Sequence, residues 1–322
     1  MPSYVMSVRK ATRGKFTADI GGTSYLVVPD GEDPSPDHAI PEQKWFDQVI
    51  QGAQWRNEKG EKRGDLLFSV HGYNMSESEV IERHRLLANG LSDIGFKGIV
   101  VSFDWPSDDK ALAYLPDRHK AKLTAMRLMT EGISYVSEKQ KPDCPINIHV
   151  LGHSTGAYVL TEAFDDADDT NLPNSAWKVS QIIFVAGDVS SSVMSNPDPR
   201  SDSIYRHGIR LTNYSSRRDQ ALDISNVKRV GVAPRVGRVG LPENAPSNAI
   251  NIDCTQYYEK LESDSAILEQ DEPAGIKGMP SHSWYFGNKI FTRDLFCTLI
   301  GIDRYVIPTR SVDGEGKTIL IG

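Results

Sequence analysis

At 322 residues, 39% of them hydrophobic, the chain can bury one large core, and its length demands no second catalytic domain. A net charge of −7 and an isoelectric point near 5.7 argue against a nucleic-acid partner, which would require a basic footprint. Cys144, Cys254 and Cys297 are odd in number and lack metal spacing, so free buried thiols, a reducing compartment and no metal site are expected.

The opening Met1 to Lys10 has no apolar signal core, and no run approaches membrane-spanning length, which points to the cytoplasm and to no membrane partner. Tyr4 to Val8, Lys15 to Ile20 and Ser24 to Val28 alternate in polarity, with Gly21-Gly22 between the second and third, so a small antiparallel ribbon is predicted. Residues 29–42, rich in Pro and Asp, read as a connector. The expected organisation is an N-terminal β extension over 1–42, an α/β catalytic unit over 43–305 and a tail over 306–322.

Leu66 to Val70 reads as a buried strand running into His71-Gly72-Tyr73-Asn74. Val80, Ile81, Leu87, Leu91 and Ile94 follow at nearly helical spacing, stopping at Gly95, and Gly98 to Phe103 forms the next strand. Leu123, Met126, Met129, Ile133 and Val136 define a further amphipathic helix whose stripe faces the core. Apolar runs at Ile146 to Leu151, Gln181 to Gly187, Gly208 to Tyr214 and Ala249 to Cys254 complete an alternation of strand and helix. That pattern predicts a mostly parallel central sheet with helices on both faces. No internal repeat and no phosphate-binding glycine loop is present, so no cofactor is expected.

The chemistry concentrates at Gly152-His153-Ser154-Thr155-Gly156, between an apolar strand and the helical Ala157-Tyr158-Val159-Leu160. Strand, sharp turn and helix make a nucleophile elbow with Ser154 at its apex. The N–H groups of Tyr73 and of Thr155 are the candidate oxyanion donors. A serine hydroxyl needs a base held in one tautomer by a third group. On such an elbow the acid and then the histidine follow in chain order, so of eight histidines only His207 and His282 qualify. His207 precedes a strand, the wrong end for chemistry; His282, in Met279 to Tyr285 after the last apolar run, is the better candidate. Asp219 is the preferred acid, with Asp188 as the alternative. His71, Asn74, Trp105 and Trp284 are candidates to line the substrate pocket.

Five blocks together resemble the bacterial α/β-hydrolase group known as domain of unknown function 900. They are Val70-His71-Gly72-Tyr73-Asn74, Ser102 to Ser107, Gly152 to Gly156, Ser216 to Leu222 and Ser281 to Tyr285. The resemblance covers about residues 65 to 295 and implies an α/β-hydrolase fold with Ser154, Asp219 and His282 as a triad. Thr155 departs from the larger residue, such as Met, expected after the nucleophile.

The expected activity is a serine hydrolase on a small-molecule carboxylic ester. Alternatives left open are an acyltransferase using the same triad and a catalytically silent binding protein of this fold. Trp105 to His119 and Val189 to Arg206 are candidate rim insertions; both are polar, which favours short acyl groups over lipid. Residues 200–240 carry nine basic against three acidic residues and 251–272 seven acidic against one basic. The simplest account is two mutually neutralising faces; the sharper one is a basic rim that attracts an anionic substrate.

Overall fold

Successive residues of the central strands are buried on opposite faces of one sheet. Leu66, Phe68 and Val70 enter one apolar cluster while Leu67 enters the other, and Ile182 and Phe184 oppose Ile183 and Val185 in the same way. Burial on both faces turns these strands into the continuous apolar runs seen in the sequence. The computed structural model describes residues 2–107, 114–133, 136, 146–169, 177–227, 233–270 and 279–322.

In chain order the elements are β1 (Ser3–Thr12), β2 (Lys15–Val28), α1 (Glu42–Ala53), β3 (Gln54–Arg56), β4 (Lys62–Val70), α2 (Glu77–Asp93), β5 (Ile99–Asp104), α3 (Tyr114–Leu128), β6 (Ile146–His153) and α4 (Thr155–Asp169). There follow β7 (Val179–Val185), α5 (Pro199–His207), β8 (Gly208–Ser215), α6 (Gln220–Val227), α7 (Val236–Val239), β9 (Ala249–Asp253), α8 (Thr255–Ser263), α9 (Ser265–Gln270), α10 (Pro280–Ser283), α11 (Lys289–Leu299), β10 (Arg310–Val312) and β11 (Thr318–Leu320). The strands form one eleven-stranded sheet in the order β10-β11-β9-β8-β7-β6-β4-β5-β1-β2, with β3 paired to β4. From β1 through β9 along that order, neighbouring strands are parallel. Their C-terminal ends therefore share one rim, where the loops after β4, β6 and β8 meet.

Both chain ends belong to this sheet. β1 runs parallel to β5 with Ser7 opposite Asp104, and β11 reaches β9 at Ile319 and Asp253. The N-terminal ribbon is a two-stranded hairpin turning at Arg13-Gly14, both at positive φ, rather than at Gly21-Gly22. Gly21 lies inside β2, where the register shifts across β1 and a Cβ would stand 2.4 Å from the Lys10 Cα. Close approach of two backbones, not a turn, requires that glycine.

The helix before β6 also differs from its predicted stripe. Leu123 is 52% exposed, and the buried face is Ala121, Thr124, Ala125, Leu128 and Met129. A π turn over Met129–Ile133 follows, with Met129, Gly132 and Ile133 buried, and Val136 beyond it is buried as well. α2 begins with a reciprocal Ser76 and Glu79 capping box, and Gly95, the stop expected from the sequence, follows it at φ +96°.

Candidate active site

Ser154 sits between the last residue of β6 and the first of α4 at φ +54°, a left-handed conformation costly for a non-glycine residue. Its neighbours hold it there. The Ser154 N–H donates to the Val185 carbonyl at 3.0 Å, and its own carbonyl accepts from Asp188 N–H at 2.9 Å. The glycines are steric necessities: a Cβ on Gly156 would lie 2.2 Å from the Val70 carbonyl oxygen, one on Gly152 2.6 Å from the Ala157 nitrogen, and one on Gly72 2.8 Å from the Ser154 Cβ. The loop after β4 is thus pressed against the serine. Thr155 opens α4, so its N–H lies in the first turn, where a helix offers no internal acceptor.

The candidate acid and base arrive from two further loops. Asp219 follows β8 and caps α6: Oδ1 accepts the Leu222 N–H at 3.0 Å, and Oδ2 accepts from His282 Nδ1 at 2.7 Å. With Nδ1–H pointing at a buried carboxylate, the other ring nitrogen of His282 is left as the acceptor. His282 lies on the single-turn helix α10, tied to α6 by the Gln220 N–H on the Ser281 hydroxyl at 3.2 Å. The His153 and His282 rings lie 4.8 Å apart, so the His282 loop packs directly on the elbow.

The rejected histidine and the alternative acid have other work. His207 stacks on Trp177 at 3.9 Å and contacts Asp168 at 2.9 Å, before rather than after β8. Asp188 forms an ion pair at 3.0 Å with Arg235, and both side chains are only 3% exposed.

Three of the four candidate pocket residues are buried. Trp105 is fully buried in the core; its indole N–H donates to the His71 carbonyl at 2.9 Å and its ring stacks on His71 at 5.4 Å. His71 is itself buried, 3.3 Å from Asp104. Trp284 packs among Tyr257, Tyr285 and Phe291 on the other face of the sheet. Asn74, at φ +57°, is exposed and Tyr73 half-buried beside it, so these two stay on the rim. Within the insertion Trp105 to His119, residues 108–113, with Asp108, Asp109 and Lys110, lie outside the described residues, as does Cys144. Cys254 and Cys297 are free and buried.

A supporting network absent from the sequence reading reaches the His71 loop from β1. Arg9 donates through Nε to Asp104 at 2.8 Å and through Nη2 to the Met75 carbonyl at 2.7 Å, while the Ser7 hydroxyl donates to Asp104 at 2.7 Å. Burial alone would raise the Asp104 carboxyl; the Arg9 charge, then His71 and Ser7, override it and bring it from 3.8 down to about 2. A folded value below the unfolded one contributes stability at neutral pH that is lost as pH falls from about 4 toward 2, here about 2 kcal/mol. Urea unfolding at pH 5 and pH 3 should therefore show a drop that is smaller in Arg9→Met; equal drops in both proteins would refute the assignment.

Between the two oppositely charged segments Arg218 pairs with Glu259 and Glu262, while Arg238 with Asp223 and Arg206 with Asp202 pair inside the basic one. Among the described residues no group of His, Cys, Asp and Glu is placed to hold a metal ion, and no helix is long and apolar enough to cross a membrane.

Comparison with known proteins adds the family. No curated protein matches the chain. Solved structures with similarity include the dienelactone hydrolase of Anabaena variabilis, at 15% identity and a TM-score of 0.35 over 84% of this chain and 94% of that one. Est1E of Butyrivibrio proteoclasticus is similar at 16% identity and a TM-score of 0.34, covering 68% of this chain and 98% of its own. A lipase-esterase related protein of Clostridium acetobutylicum is similar at 12% identity and 0.32, over 68% and 96%. Residues 50–256, from the end of α1 into the start of α8, match the family described as alpha/beta hydrolase of unknown function (DUF900), and the chain belongs to that family.

Proposed function

We propose that this hydrolase is a serine esterase in which Ser154 is the nucleophile, His282 the general base and Asp219 the group that orients it. One observation carries the reading: a strained serine at φ +54° lies at the same rim as a buried carboxylate and histidine joined at 2.7 Å. Ser154 Oγ attacks the acyl carbon while its proton passes to His282 Nε2, the nitrogen not engaged by Asp219. The tetrahedral oxyanion is met by the N–H groups of Tyr73 and Thr155, each such donor typically contributing about 3 kcal/mol. Its collapse breaks the bond to the alkoxy oxygen, which takes the proton from His282 and leaves as the alcohol. Water then attacks the acyl-enzyme, gives a proton to His282 and releases the acid with Ser154 restored.

A fluorophosphonate probe tests the central step. Mass spectrometry should place one adduct on Ser154 in the folded protein and none in Ser154→Ala; no adduct, with control serine hydrolases labelled in parallel, would end the reading.

Short-acyl esters are the proposed substrate class. The insertion after β7 begins with polar residues, Ser190 and Ser192 hydrogen-bonded to each other and Arg200 paired with Asp198 further on, and such a rim offers a long acyl chain little apolar area. Across acetyl, butyryl, octanoyl and palmitoyl aryl esters, kcat/KM should peak among the short chains, each accepted methylene adding up to about 0.8 kcal/mol until the pocket ends. A monotonic rise through palmitoyl would overturn this in favour of a lipase.

A further inference from the structure

The His282 side chain is oriented by Asp219, but its main chain is held from the opposite side. Arg83 of α2 and His153, the residue before the nucleophile, both reach α10. We infer that Arg83 and His153 form a positioning clamp for His282: Arg83 Nη1 donates to His153 Nδ1 at 3.2 Å, and His153 Nε2–H donates to the His282 carbonyl at 3.0 Å. The clamp rests on the role proposed for His282 as base.

Hydrogen-bond chemistry settles the direction of the chain. A guanidinium has only donors, so His153 Nδ1 must carry a lone pair; the ring proton then sits on Nε2, facing a carbonyl that can only accept. Each bond thus requires the other. Burial, and then the charges of His282, Arg83 and His71, hold the His153 imidazole well below its usual range, which keeps it neutral and keeps Nδ1 free to accept. Burial lowers Arg83 itself to about 10, against the opposing pull of Glu79 and Glu82, so it remains a cation at neutral pH.

The guanidinium makes two further contacts with the same loop. Its Nη2 donates to the Ser283 hydroxyl at 3.3 Å, and its plane lies 5.1 Å from the Phe286 ring centroid. Phe286 in turn meets the His153 ring edge-to-face at 5.1 Å. The segment from His282 through Phe286 is therefore fastened to α2 and to the elbow. Because His153 adjoins Ser154 in the chain, the clamp fixes the base relative to the nucleophile rather than merely to the sheet.

The test combines a double-mutant cycle with a spectroscopic measurement. For Arg83→Met, His153→Phe and the double variant on a short aryl ester, each single change should lower kcat by tenfold to about 10²-fold, the range in which small displacements of reacting groups are felt, with KM little changed. The double variant should be within about threefold of the worse single, because the two residues act through one link. Arg83→Lys, which keeps the charge but not the fork, should recover part of the loss. Unchanged kcat in either single variant, or losses that multiply in the double, would overturn the clamp.

Imidazole ¹⁵N spectra of the wild-type protein need no variant to fold and no turnover. They should show His153 neutral with its proton on Nε2 from pH 6 to 8; a proton on Nδ1 or an imidazolium in that range would overturn the clamp. If fluorophosphonate fails to label Ser154, the esterase reading falls while the tautomer still decides the hydrogen-bond chain. If Ser154 labels normally and the variants keep full kcat, only the clamp falls.

Discussion

Ser154→Ala and His282→Ala are each expected to lower kcat/KM by on the order of 10³-fold or more, and the double variant to be scarcely worse than either. The reason is that neither group works alone: a serine without an acceptor for its proton is a weak nucleophile, and a histidine without the serine has nothing to deprotonate. Asp219→Asn should cost somewhat less, since nucleophile and base both remain and only the hold on the His282 Nδ1 proton is lost. Hydrolysis of a short aryl ester, read with circular dichroism to confirm folding, measures all four. Full activity in His282→Ala would remove that residue from the mechanism, and a larger loss in Asp188→Asn than in Asp219→Asn would transfer the acid to the loop after β7.

The second large effect concerns stability. Arg235→Ala is expected to destabilise the fold by about 3–5 kcal/mol, because it strands the Asp188 carboxylate in a site where both partners are 3% exposed. The consequence reaches the elbow, since the Asp188 N–H holds the Ser154 carbonyl and the turn carrying Arg235 packs so closely that a Cβ on Gly237 would lie 2.2 Å from the Ala186 carbonyl carbon. Removing both charges in Asp188→Asn with Arg235→Met should restore much of the loss, as apolar replacement of a buried pair often does. Urea unfolding midpoints give the comparison; a single variant as stable as wild type would show that the pair contributes nothing.

Much of the rim was legible in the sequence because the elbow leaves a local signature. Gly152, Ser154 and Gly156 lie within five residues, and the two glycines are there because their Cβ atoms would collide with neighbouring backbone. Likewise, strands buried on both faces must be apolar throughout, so β4, β6, β7 and β8 stand out from the polar segments around them. Chain order then places Asp219 and His282 without knowledge of distance, and the two side chains do meet at 2.7 Å. An aromatic residue near a motif carries no such information. Trp105 and Trp284 lie beside candidate loops in the sequence, yet one packs in each of the two cores, because a side chain's direction depends on the path of the whole loop.

Local patterning marked the strands and the elbow, since each depends on residues a few positions apart, and chain order singled out Asp219 and His282 as candidates. Only the tertiary structure decided what supports them. Arg9 reaches Asp104 across 95 residues, Arg83 reaches His153 across 70 and Ser283 across 200, and Arg235 neutralises Asp188 from a different loop. Charged side chains this far apart in sequence carry no periodic mark of their partner; their pairing follows from sheet order, which places β1 beside β5 and folds α10 over α2, and from the cost of leaving any buried charge alone.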